Sequence, residues 1–181
     1  MNGKENHVFF RREKQLSEFK RRILTMIDQV ERVNGPNLSL RLIKPEDAEY
    51  VHALRVNPDY NQHLTKVSGS VSVQFDWIIN YQSRELSGLE YYYIICRRDG
   101  RRCGVVRIYN ILDTSFTWGS WILDHNKPPK AALESALLVY QIGFGPLKKE
   151  RSIFEVHKKN ENTLTFHRRF GATPVGDDVE N

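Results

Sequence analysis

A single mixed α/β (α+β) domain, preceded by a helical extension, is the fold class this sequence predicts, and three observations point to it. The stretch from Trp118 to Ala172 reads as strand (WGSWIL), loop (DHNKPPK), long helix (AALESALLVYQIGF), strand (SIFEVH) and short helix (NENTLTFHRRFGA). A strand that returns after such a crossover helix pairs in parallel. Two β-branched and aromatic runs, Tyr91 to Arg97 and Cys103 to Tyr109, flank Asp99-Gly100, the turn signal of an antiparallel hairpin. At 181 residues and 40% hydrophobic content, the chain suffices for one core and is short for two.

Taken in order, residues 9–33 carry Leu16, Phe19, Ile23, Ile27 and Val30 on one helical stripe, with Asn34-Gly35-Pro36 as its stop. This predicts an amphipathic extension over residues 1–36, packed on the domain or on a second subunit as in a homodimer, and a domain over 37–181. Acidic residues beside the basic ones weigh against attachment to a membrane surface. Leu38 to Ile43 alternates as a first strand, and Lys44-Pro45-Glu46-Asp47 starts a helix through Tyr50, Val51 and Leu54 that ends near Asn57-Pro58. Ser68-Gly69-Ser70 breaks the chain, and Val73, Trp77, Ile78 and Tyr81 form a second helical face. The hairpin follows, its tip crowded by Arg97, Arg98, Arg101 and Arg102 and therefore expected in water. Its turn places Cys96 and Cys103 opposite each other; with no secretory signal, two reduced thiols are expected. Ser115 to Leu123 is the third strand of this series.

Charge and segment composition exclude several classes. The net charge is +5, of which +3 sits in residues 1–36, so the remaining 145 residues are nearly balanced. That argues against nucleic acid as a partner, while a small positive excess suits an anionic coenzyme or nucleotide-linked substrate. No apolar stretch reaches the ~18 residues of a membrane span, and the start lacks an apolar signal core, so the cytoplasm is the expected compartment. The six histidines and two cysteines show no His-x-x-x-His or Cys-x-x-Cys pair, the patterns a metal site needs. No G-x-G-x-x-G follows a strand, which removes the dinucleotide reading.

The order of these pieces, with Trp118-Gly119-Ser120-Trp121-Ile122 before the loop and Asn160 followed eleven positions later by Gly171, resembles the GNAT superfamily of N-acetyltransferases over residues 38 to 176. The first half, with RLIKPEDAEYVHALRVNPDY and SVSVQFDWI, is similar to the branch holding ribosomal-protein N-terminal and amino-sugar-nucleotide acetyltransferases. The resemblance implies a central, mostly antiparallel sheet with two splayed strands, and acetyl-coenzyme A as acyl donor. It also implies that the two helices before the hairpin wall an acceptor pocket.

Family members grip the coenzyme diphosphate with Gln/Arg-x-x-Gly-x-Gly/Ala at a helix start, where backbone N–H groups and the positive helix end meet an anion. The matching residues here are Lys127-Pro128-Pro129-Lys130-Ala131-Ala132. Two readings compete: side-chain charge from Lys127 and Lys130 replaces backbone donors, or the loop has lost the coenzyme, since two prolines offer no N–H. On the first reading Lys127, Lys130, Ala131, Ala132 and Asn160 contact the coenzyme, and the backbones of Ile122 and Leu123 pair with its pantetheine arm like an added strand.

Aligned on Asn160, the family pattern puts His167 where many relatives carry a tyrosine that protonates the departing thiolate. His167, with an ordinary pKa of about 6.5, is thus the general-acid candidate. Glu155, read as mid-strand, is the candidate base, and water is the alternative. Trp118 and Ser120, at alternate positions of one strand, are expected to face the acceptor. Direct acetyl transfer to a primary amine of a small acceptor, most simply an amino sugar carried on a nucleotide, is the leading expectation. Protein N-terminal acetylation and an inactive binding module are the others.

Overall fold

The computed structural model describes residues 29–62, 64 and 67–175. The stripe residues Leu16, Phe19, Ile23 and Ile27 lie outside that range; Val30, within the helical residues 29–31, is buried and its carbonyl accepts a hydrogen bond from the Tyr93 hydroxyl. In chain order the elements are β1 (Arg32–Asn34), β2 (Leu38–Leu42), one 3₁₀ turn (Pro45–Asp47), α1 (Ala48–Val56), α2 (Pro58–Asn61), α3 (Val71–Leu86), β3 (Tyr91–Arg97), β4 (Arg102–Tyr109), β5 (Ser115–Leu123), α4 (Ala131–Phe144), β6 (Arg151–Ile153) and α5 (Glu161–Arg169).

The six strands form one sheet in sequence order, antiparallel throughout except for the parallel pair β5/β6. Residues 32–34 thus correct the expected helix end: they fold back on β2, with Val33 opposite Leu40, across a turn in which the Gly35 N–H bonds the Leu38 carbonyl. Val33 supplies a buried side chain to the sheet, which a further helical turn would have lost.

Each face of the sheet has its own core. On one, α4 and α5 cover Leu40, Tyr93, Ile95, Val106, Ile108, Phe116 and Trp118. On the other, α1 and α3 cover Tyr92, Ile94, Val105 and Ile122. Helix α4 comes so close that a β-carbon on Gly143 would stand 2.1 Å from the Phe116 ring; glycine is required there by contact with the sheet. At its start, the Glu134 carboxylate takes the N–H groups of Asn37 and Leu38 at 2.7 and 2.8 Å, tying helix to sheet.

The cysteines are not opposite one another. Ile95 pairs with Gly104 and Cys96 with Arg102, so Cys103 is an extra residue in the ladder. Such a bulge turns its side chain over. Cys96 therefore packs on the α1/α3 face and Cys103 on the α4 face, and both are free thiols.

Candidate active site

Two irregularities in β5 open the site. Its parallel pairing with β6 covers only Ser115 to Thr117, against Arg151 to Ile153, while β5 itself continues to Leu123. The segment after Ile153 leaves the sheet, which corrects the reading of Ser152 to His157 as a full strand and of Glu155 as a mid-strand residue. The second irregularity is a bulge: Val105 pairs with Ile122 and Arg107 with Gly119, so Val106 faces both Ser120 and Trp121. Ser120 takes φ +47, the left-handed conformation that lets a strand bend at the extra residue.

The bulge reassigns the side chains that alternation had placed. Trp118 and Trp121, three apart, share the α4 face with ring centroids 5.4 Å apart. Trp118 is 2% exposed and touches Tyr140, Phe154 and His167, so it is core and does not face an acceptor on the other side. Beyond the bulge, the Asp124 N–H bonds the Cys103 carbonyl. Strand alternation then points the backbone of Ile122 to β4 and that of Leu123 to the open edge. Of the two expected backbone partners, only Leu123 is available to an added strand.

The loop between β5 and α4 is bound from within. Asp124, 3% exposed, accepts the Tyr50 hydroxyl at 2.8 Å and the Asn126 N–H at 2.7 Å. The Lys127 N–H bonds the Asp124 carbonyl, the His125 N–H bonds the Tyr60 hydroxyl oxygen, and the Ala131 N–H bonds the Pro128 carbonyl. Among the described residues, the backbone donors of this loop and first helical turn without a partner are those of Lys130, Ala132 and Leu133. These three N–H groups, at the positive end of a 14-residue helix, with exposed Lys127 and Lys130 beside them, fit a diphosphate. Ala131, by contrast, is buried and its N–H is committed. Leu133 lies outside the family pattern; counting orphan donors over the whole first turn finds it. Lys130 adopts φ +63, which explains why a glycine serves this position in the family pattern.

On the α4 side, the gap between β5 and the segment after β6 is lined by rings. His167 is 4% exposed, stacks on Phe154 at 3.7 Å and meets Trp118 edge-on at 5.3 Å. Its Nδ1 is buried without a hydrogen bond. Burial lowers its pKa to about 4, because no anion repays the desolvated charge. The expected imidazolium donor is therefore replaced by a neutral ring, and the neighbouring Arg168 and Arg169, which are exposed, do not describe its surroundings. Asn160 caps α5, its Oδ1 accepting the Thr163 N–H at 3.2 Å.

The opposite face presents different chemistry beside the bulge. Arg107, paired with Gly119, binds the buried carboxylate of Glu90, which Arg84 also holds at 3.0 Å. The Arg107 guanidinium lies 5.1 Å from the Tyr109 ring and 5.7 Å from that of Trp77. The Tyr109 hydroxyl rests over Gly119. Burial raises the Tyr109 pKa, the charge of Glu155 adds to this and Arg107 opposes it. Exposed Glu155 thus lies within electrostatic reach of the phenol on this face, whereas His167 lies on the other.

Comparison with known proteins fits this geometry. A family model described as an acetyltransferase (GNAT) domain matches residues 37–173. A solved structure described as apo FdhC, a nucleotide-linked sugar GNAT, is 42% identical and superposes with a TM-score of 0.75 over 82% of this chain and 85% of that one. The ribosomal-protein-S5-alanine acetyltransferase from Vibrio fischeri (15% identity, TM-score 0.69, 80% and 84% covered) and the spermidine N-acetyltransferase from Vibrio cholerae, solved with CoA and spermine (17%, 0.66, 81% and 87%), share the fold. Among curated proteins no relative matches. Six strands in sequence order, a parallel pair that parts after three residues and a helix start with free donors are thus joined to a matching family model, and the chain belongs to the GNAT family of acetyltransferases.

Proposed function

We propose that this acetyltransferase moves the acetyl group of acetyl-coenzyme A directly to the primary amine of a nucleotide-linked amino sugar. The observation that carries the reading is the continuity of the open β5 edge at Leu123 with the three free N–H groups of Lys130, Ala132 and Leu133. A coenzyme whose diphosphate sits on the helix start would run its pantetheine arm along that edge toward the bulge. Lys127, Lys130 and the Nδ2 of Asn160, which the cap leaves unused, supply side-chain contacts. The acceptor class is supported by the 42% identity to a nucleotide-linked sugar GNAT and by the one net positive charge that Arg107 and Arg84, sharing the Glu90 carboxylate, leave on the acceptor face.

In the reaction the amine nitrogen attacks the thioester carbonyl carbon, a C–N bond forms and the C–S bond breaks. Glu155, directly or through water, takes the amine proton. The departing thiolate takes a proton from a group still protonated at neutral pH, a role that Tyr109 suits and a neutral His167 does not. His167, Phe154 and Trp118 keep the gap apolar, which strengthens the hydrogen bonds made within it.

The test is acceptor-dependent release of coenzyme A thiol from acetyl-coenzyme A, with a panel of nucleotide-linked amino sugars beside N-terminal peptides. Turnover on sugar nucleotides alone supports the reading. Turnover on peptides alone replaces it with protein N-terminal acetylation, and no binding of coenzyme A at millimolar concentration replaces it with a non-catalytic module.

A further inference from the structure

We infer that Tyr50 and Tyr60 couple the coenzyme loop to the helices on the acceptor face, so that coenzyme bound at the start of α4 tightens α1 and α2. The inference rests on the coenzyme reading above and adds a route between the two substrate sites.

The loop has four N–H groups before its prolines, and each is already committed: Asp124 to the Cys103 carbonyl, His125 to the Tyr60 oxygen, Asn126 to the Asp124 carboxylate and Lys127 to the Asp124 carbonyl. Two of the anchors that hold this shape come from across the sheet. Tyr50, on α1, donates to the other carboxylate oxygen of Asp124, and Tyr60, on α2, receives the His125 N–H at 3.2 Å. The Tyr50 ring carries the Arg102 guanidinium 4.5 Å above it. Arg102 in turn reaches Asp47, at the start of α1, at 3.4 Å. A continuous set of contacts therefore runs from Asp47 through Arg102, Tyr50 and Asp124 to the loop.

The receiving element is poised to respond. Helix α2 has four residues, none buried, and is held at its start by the Asn57 side chain accepting the Asp59 N–H. An element with so little buried surface opens at small free-energy cost. Its hydroxyl contact to His125 thus joins a small set of holds, the Asn61 side chain on the Arg55 carbonyl at 3.0 Å and the half-buried Tyr60 ring against the core. A ligand that fixes residues 130–133 also fixes the loop leading into them, and so favours the docked state of Tyr60 and Tyr50. Linkage makes the effect mutual: whatever orders α1 and α2 from the acceptor side raises coenzyme affinity by the same factor. Both tyrosines are positioning residues, since neither belongs to the group of donors facing the ligand.

Hydrogen exchange of the full chain, with and without saturating coenzyme A, tests this in the native protein and in Tyr50→Phe and Tyr60→Phe. The expected result in the native protein is slower exchange both at residues 130–134 and at residues 50–61, the latter by about fivefold or more, the lower end of ordinary couplings. In each variant the slowing at 130–134 persists while that at 50–61 falls below about twofold. Slowing at 130–134 alone in the native protein, or undiminished slowing at 50–61 in both variants, overturns the coupling and leaves the coenzyme reading intact. No slowing at 130–134 overturns the coenzyme reading and the coupling with it.

Discussion

Phe154 and His167 stack face to face, with ring centroids 3.7 Å apart and planes within 17°. One comes from the segment that leaves the sheet after β6 and the other from α5, so this pair closes the gap that the parting of β5 and β6 creates. An imidazole in that position must be neutral, and the condition has a cost at low pH.

The folded pKa of His167 is about 4, below the ~6.5 of an unfolded chain. As pH falls, the unfolded chain takes up the proton first, so stability held above about pH 6.5 is lost progressively down to about 4 and not further. The difference corresponds to ~3 kcal/mol. Urea unfolding between pH 7 and 4 should show this loss, and His167→Phe should remove most of it while keeping the aromatic contacts. An unchanged slope in the variant would show that other groups set the acid limit.

Lys130 sits at φ +63 where the family pattern has glycine, a conformation that costs a residue with a β-carbon about 1–2 kcal/mol. Part of that gain is returned through the freer unfolded chain. Lys130→Gly should therefore raise stability by about 0.5–1 kcal/mol. The same change removes an exposed cation beside the free N–H groups and should weaken coenzyme A binding about two- to fivefold at low salt. The difference should fade at high salt, where such charges are screened. Thermal unfolding and calorimetric titration at two ionic strengths check both halves.

A β-carbon at Gly119 would stand 3.2 Å from the Tyr109 hydroxyl, so the glycine gives the phenol its place beside the bulge. Tyr109→Phe should lower kcat by about 10²-fold, at the lower end of what proton transfer contributes, with coenzyme A affinity unchanged. Gly119→Ala should push the hydroxyl aside by a few tenths of an ångström and cost less than Tyr109→Phe. Steady-state kinetics with calorimetry separate the two quantities. Full turnover in Tyr109→Phe would remove the phenol as proton donor.

Much of this architecture was legible in the residues. Asp99-Gly100 specifies the hairpin, and the run from Ala131 to Phe144 matches α4 at both ends, because its apolar periodicity is bounded by prolines on one side and glycine on the other. Single extra residues hid the rest. Ser120 and Cys103 each add one position to a ladder, and since strand side chains alternate with period two, one insertion turns every later side chain to the other face. That is why Trp121 shares a face with Trp118, and why Cys96 and Cys103 do not share one. The burial of His167 is hidden for another reason: its chain neighbours are exposed cations, whereas its contacts come from Phe154 and Trp118, which no local pattern reveals. Tyr109 carried no motif; its position over Gly119 exists only after β4 and β5 pair.

Catalysis by this route requires coenzyme A to bind with its diphosphate on the start of α4 and its arm along the open edge of β5. Amide chemical shifts during titration with coenzyme A decide this. Saturable changes should be largest at Lys130, Ala132, Leu133 and Leu123. Saturation with shifts confined to other residues, or no saturable change at millimolar coenzyme A, would contradict it.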